Sequence, residues 1–296
     1  MRLKIAFGLL RITVFRKPET IVPLVLRRKA AYEVPSLLTV IREKIPMVLD
    51  LTFFMFAIPA VLFAGVSKGG FGSGAAFAAT PFLALVLEPE VAVAMMLPLL
   101  MIMDLSAVKA YWRKWDWQNA KILMIGALPG ILIGWLMFRT ANPDVLRFLI
   151  GSVAVGFVLF QFARARGWIE VAHKPFNPIT GGIWGAVAGF TSFIGHAGGP
   201  PASIQLLSQR LDKFTFQATT VVVFWFINAV KFIPYMMLGM FSRETAIADL
   251  ALAPVAIAGT LLGVWLHKKM SDRIFFMLAY SFLLITGAKL IFDSLT

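Results

Sequence analysis

Two glycine-rich interruptions of apolar sequence carry the residues best suited to chemistry. The first reads Gly65-Val-Ser-Lys-Gly-Gly-Phe-Gly-Ser-Gly74, and the second Gly189-Phe-Thr-Ser-Phe-Ile-Gly-His-Ala-Gly-Gly-Pro200. Glycine tolerates backbone conformations that leave amides open to a ligand. In hydrocarbon such amides need partners, so irregular backbone persists only where protein buries it or a cavity is lined by it. Paired interruptions in two halves of a membrane chain point to a substrate site between half-helix ends. Helix N-termini offer anions directed donors and partial positive charge.

Within the first interruption the candidate binding residues are Ser67, Lys68, Gly69, Gly70, Gly72, Ser73 and Gly74. Within the second they are Thr191, Ser192, Gly195, His196, Gly198 and Gly199. The serines and Thr191 add hydroxyl donors, and Lys68 adds a full charge. An ionisable residue inside a span is a functional candidate by default, although a lysine also snorkels to an interface. His196 either couples proton movement to an anion or is a hydrogen-bonded packing histidine. Asn228 and Lys231 lie deep in a later apolar run, whereas the repeat-equivalent Lys109 sits near a span end, where snorkelling explains it. Asp104 either pairs with a lysine or binds a coupling H+ or Na+. Pro200, Pro201 and Pro234 break or kink their helices.

The elements that must position these groups are long and apolar. The 296 residues are 59% hydrophobic and 15% charged, with mean hydropathy +0.82, against about half and a quarter in soluble domains. Runs near 20 residues suit helices crossing about 30 Å of hydrocarbon and not barrel strands alternating apolar and polar. The expected fold is an all-α membrane protein, a polytopic helical bundle of two four-span repeats, each opening with a glycine-broken helix. The net charge of +13 then reads as basic loops on the cytoplasmic side, not as a nucleic-acid surface. There is no cysteine, and the three histidines are far apart. No metal or cofactor is therefore expected.

Residues 1–46 carry ten Lys and Arg with no run long enough to span. They read as a cytoplasmic, membrane-surface extension drawn to anionic lipid. Residues 47–163 form the first transmembrane repeat, 164–178 a basic connector and 179–296 the second repeat. Leu105-Ser-Ala-Val-Lys109 matches Ile227-Asn-Ala-Val-Lys231, and Gly130-x-x-x-Gly134 matches Gly259-x-x-x-Gly263. Asp144-Val-Leu-Arg-Phe148 matches Asp272-Arg-Ile-Phe-Phe276 in the same order, the mark of duplication. If each broken element crosses once, there are eight crossings with both termini inside. This leaves Lys268, Lys269 and Arg273 outside, against the positive-inside rule. If each is a re-entrant hairpin or a pair of spans, the repeats are inverted. The favoured count is eight crossings.

Gly69–Gly74 with Pro81, the Val91-Ala-Val-Ala94 span, the Trp112-Arg-Lys-Trp-Asp-Trp117 loop and the Gly126–Gly134 helix together resemble the TauE/SafE family of membrane permeases. The resemblance covers roughly residues 48–293 and implies a multi-pass inner-membrane transporter of sulfite, sulfoacetate or other sulfur-containing or organic anions. Lys68 and His196 depart from the usual family pattern. The expected partners are a small anionic substrate and membrane lipid, with H+ or Na+ as coupling ion. A passive anion channel shares the glycine breaks. A membrane-embedded enzyme would need a polar cluster with catalytic spacing, and no HExxH motif is present. There is no Gly-x4-Gly-Lys-Ser/Thr loop for nucleotide.

Overall fold

The computed structural model describes residues 49–71, 76–169, 173, 175–266 and 272–296. Residues 1–46, Gly72, Ser73 and Gly74 lie outside it, and with them the expectations placed there. Residues Met47–Thr296 form one compact unit. All of its regular elements among the described residues are helical.

Helix α1 spans Leu51–Val66 and widens into a π-turn over Ser67–Phe71. A 3-10 turn, Ala76–Ala78, leads into the short α2, Ala79–Leu83. Then come α3 Pro89–Ala110, α4 Trp117–Thr140 and α5 Pro143–Ala165. Next are α6 Pro178–Gly195 and α7 Gly199–Ser208. The chain closes with α8 Lys213–Met237, α9 Arg243–Leu266 and α10 Asp272–Leu295. Start signals are local. Asp50, Asp116, Asn142, Asn177 and Asp212 each accept a backbone N–H of the helix that follows, as good N-caps do. At Asp212 the hydrogen bonds from Thr215 and Phe214 hold the carboxyl below the usual carboxylate range.

Seven helices among the described residues are long and apolar enough to cross a membrane, rather than the eight favoured from sequence. α6 is the one left out: its 18 residues include five glycines, which dilute its hydropathy. Those glycines have another use. On α4, Gly126 faces Gly182 and Gly130 faces Ala186, while Gly134 faces Phe193. A methyl at Gly130 would land on the Ala186 carbonyl. α4 and α6 therefore run parallel at close approach, as small-residue interfaces allow. Along α1 and α9 the same register recurs, with Gly65 against Gly259 and Val66 against Gly263.

The other cross-pairs are antiparallel. Tyr111, at the end of α3, lies 5.1 Å from Phe214, at the start of α8. On α5 and α10, Gly151 meets Gly287, while Gln161 near the end of α5 bonds Tyr280 near the start of α10. Tyr111 Oη also donates to the Gly69 carbonyl at 2.8 Å, so α1 and α3 end at one face. The chain between Phe71 and Pro89 thus brings it back to the face where α1 began. A single crossing by this element does not fit that geometry. One face gathers Arg113, Lys114, Arg166, Arg210 and Lys213, with Leu266 and Asp272, the helix ends that flank Lys268 and Lys269. We call it the basic face. The opposite face holds Asp50, Glu88, Glu90 and Asp144. There Arg147 bridges Glu88 at 2.9 Å and Asp144 at 2.8 Å.

Candidate functional site

Lys68 sits in the π-turn that ends α1, an irregularity common at functional sites. Its Nζ lies 2.8 Å from Asp104 Oδ1 on α3, with both side chains buried (3% and 0% exposed). Asn228 Nδ2, on α8, donates to the other carboxylate oxygen at 2.7 Å. A carboxylate only accepts, so the amide must present its nitrogen. Asn228 Oδ1 then has no hydrogen-bond partner among the described residues. Removing one member of a buried ion pair costs about 3–5 kcal/mol.

One turn further along α8, Lys231 is fully buried. Its Nζ donates to the Ser192 carbonyl at 2.9 Å and to Ser192 Oγ at 3.0 Å. It also lies 2.8 Å from His196 Nδ1. His196 Nε2 faces the Val93 carbonyl on α3 at 2.8 Å. That oxygen can only accept, so Nε2 carries a proton and a neutral ring offers Nδ1 to the lysine. All three ammonium protons then have acceptors. With Lys68, Lys231 and Asp104 ionised, the connected cluster carries one net positive charge.

Local backbone explains the placement of His196. It is the left-handed cap that ends α6 (φ 59°), with its N–H returned to the Ser192 carbonyl. Such a conformation is unusual for a non-glycine residue. It reverses the chain toward α7 and aims the imidazole at α3 and α8. The strain it stores is of a kind that clusters at ligand sites.

The structure gathers Lys68, Asp104, Ser192, His196, Asn228 and Lys231 from the residues expected to act. Ser67 is buried in the same π-turn. Gly195 is the last residue of α6, and Gly199 the first of α7. Thr191 stays apart, since its hydroxyl bonds back to the Val187 carbonyl at 2.9 Å. The glycines do different work from that expected. Methyls at Gly69 and Gly70 would strike the Thr260 and Gly263 carbonyls of α9. At Gly198 a methyl would meet the Ala188 carbonyl at 2.6 Å. These positions press helices together on the side where a Cβ would stand. The irregular carbonyls are also spoken for. Gln217 Nε2 donates to the Lys68 carbonyl at 2.8 Å, and Tyr111 to that of Gly69. Burial pushes the Tyr111 phenol up to about 12, so it remains a donor across physiological pH. Lys109 is exposed, unlike Lys231.

Sequence reasoning missed Gln217, Tyr111, the Val93 carbonyl and Asp249. The first and last had a signal, being polar residues inside apolar runs. Asp249 is buried on α9, and its Oδ1 has no hydrogen-bond partner among the described residues. Among the described residues no group of three His, Cys, Asp or Glu could hold a metal.

The described residues form a multi-pass helical bundle of a membrane protein with a buried, hydrogen-bonded polar cluster. The chain matches the family model described as Sulfite exporter TauE/SafE over residues 57–290, and it belongs to that family. The family comprises membrane transporters, not enzymes. No match was found among curated proteins or among solved structures.

Proposed function

We propose that this protein is a secondary transporter that moves a small sulfur-containing or organic anion, such as sulfite or sulfoacetate, across the cytoplasmic membrane. The observation that carries the reading is the buried arrangement of Lys68, Asp104 and Asn228 beside Lys231, His196 and Ser192, in which two lysines face one carboxylate. It joins the π-turn of α1 to the cap of α6 through one turn of α8. Hydrogensulfite would offset the single charge left over when both lysines and Asp104 are ionised, a dianion such as sulfoacetate would exceed it by one, and ligand hydrogen bonds replace those within the cluster. Ser192 Oγ and Lys231 Nζ supply the donors. Asn228 Oδ1 supplies an acceptor to an anion that retains a proton. H+ is favoured over Na+ as coupling ion, because both Asp104 oxygens are committed and Na+ requires oxygen ligands. The His196–Lys231 contact offers a place where a proton can shift.

The helix directions support an inverted duplication. The third helix of each half lies parallel to the first helix of the other, while the second and fourth pairs run antiparallel. This plan also relieves the charge conflict read from sequence, since the sequence around Lys268 and Lys269 joins that of Arg113 and Arg210 at one face. By the positive-inside rule that face is cytoplasmic. Asp50 then begins α1 at the opposite face, away from the side first expected.

The test is flux into liposomes holding the purified chain, comparing sulfite, sulfoacetate, thiosulfate and a sulfur-free carboxylate, with and without a pH gradient. Saturable flux that a pH gradient drives uphill is the expected result. Flux that only ever runs downhill would identify a channel, and no flux of any anion would remove the reading.

A further inference from the structure

A cavity of about 350 Å3 lies among the basic-face ends of α5, α7, α8 and α10. It has room for about ten water volumes at ~30 Å3 each. Arg164 of α5 and Lys213 of α8 line it. Ser203 of α7 and Tyr280 of α10 add hydroxyls, and Gln161 of α5 holds the Tyr280 hydroxyl at 2.6 Å. The inner wall includes Gly70 and Gln217. Gln217 is the residue that bonds the Lys68 carbonyl, so one lining side chain also touches the turn that carries Lys68. At the other end of the bundle an aromatic cluster fills the core. Phe193 and Tyr235 meet edge to face at 4.9 Å, Phe138 packs on both, and Tyr235 Oη donates to the Phe193 carbonyl at 2.6 Å.

We propose that this cavity is a separate loading site for a small oxyanion at the basic face, in which Arg164 and Lys213 take the anion before it reaches the buried cluster. The proposal rests on the transporter reading and adds a site to it. Two cations within a half-enclosed, aromatic-walled space make charge-assisted hydrogen bonds to an oxyanion worth more than in open water. Arg164 is well suited, since its planar fork matches two oxygens of a sulfonate. The headgroup of an anionic lipid carries the same oxyanion chemistry, so the experiment separates the two sources.

The chain has no cysteine, which makes Ser203→Cys a single reporter without further engineering. The full-length variant is labelled with a membrane-impermeant maleimide from each face of sealed vesicles. It is then labelled in detergent across a concentration series of sulfoacetate, of sulfate, and of short-chain phosphatidylglycerol. The expected result is labelling from the basic face alone, slowed by sulfoacetate or sulfate. Adding Arg164→Gln or Lys213→Gln should weaken that protection about tenfold, the loss of one charge-assisted hydrogen bond. Protection by neither small anion, protection by the lipid alone, or protection unchanged in both charge variants overturns the proposal. The readout needs no transport. Protection without flux would therefore keep this site and remove the transporter reading, and flux without protection would do the reverse.

Discussion

Lys231 Nζ and His196 Nδ1 lie 2.8 Å apart, and the far nitrogen of the same ring reaches the Val93 carbonyl of α3. The imidazole is a bridge between two spans, and a proton added to Nδ1 would displace the lysine from it. Replacing His196 by Gln keeps a side chain able to bond Val93 but removes the titrating nitrogen. The expected outcome in liposomes is residual downhill sulfite flux with no uphill movement under a pH gradient. Retained pH-driven accumulation would take His196 out of the coupling step.

The Lys68–Asp104 pair separates folding from transport. Lys68→Met strands a buried carboxylate and should cost about 3–5 kcal/mol. That loss is seen as a lower Tm of the detergent-solubilised protein. Lys68→Met with Asp104→Asn removes both charges and should recover most of the Tm. Flux should remain absent in the double variant, because no ion pair then ties the turn of α1 to α3, although the net charge of the cluster is unchanged. Flux near the wild-type level in that variant would show the pair to be purely structural.

The glycines make a packing prediction with an internal control. A methyl at Gly70 would land on the Gly263 carbonyl, whereas Gly156 has open space around it. Gly70→Ala should therefore lower Tm clearly, in the range of about 1–3 kcal/mol for overpacking. Gly156→Ala should leave it unchanged or slightly higher, by helix propensity. Equal effects of the two changes would mean that α1 and α9 are not in close contact.

Tyr235 offers a test of the closed end. Tyr235→Phe removes only the hydroxyl that bonds the Phe193 carbonyl. It should cost about 1 kcal/mol in stability and leave the aromatic layer filled. Tyr235→Ala should open it, giving a pH-independent anion leak measurable as loss of an imposed gradient. A tight bilayer in the alanine variant would place the seal elsewhere.

Much of this was legible from residue type alone. Lys231 stood out because its repeat-equivalent Lys109 sits at a span end, and the structure finds the first buried and the second exposed. Asp104 and Asn228 were visible as polar residues in apolar runs, and pairing with a lysine was one of the two roles considered for Asp104. The partners were not legible. Nothing in a single sequence says that Gln217 caps the Lys68 carbonyl across 149 positions, or that a backbone oxygen at Val93 fixes the tautomer of a histidine. The glycines misled for a related reason. Their open backbones suit a ligand and a neighbouring helix equally well, and only the α1–α9 and α4–α6 register tells which is present. Crossing number was less legible, because hydropathy measures length and not direction. The returning segment between Phe71 and Pro89 holds only the short helix Ala79–Leu83, too short to read as a span.

That register has a mechanical consequence. In α1–α9 and in α4–α6, each partner comes from a different half of the chain, and each seam is set by backbone touching backbone. Methyls at Gly130 and Gly263 would strike the Ala186 and Val66 carbonyls, so these seams leave little room to slide and hold each pair as one beam. If transport proceeds by tilting, the bodies that tilt against each other are not the N-terminal and C-terminal halves. They are the two exchanged pairs, and each beam carries one of the two reactive turns, Lys68 on one and His196 on the other. A tilt that draws the lysine turn away from α3 must shift the histidine cap as well, so neither end of the path can be opened without informing the other.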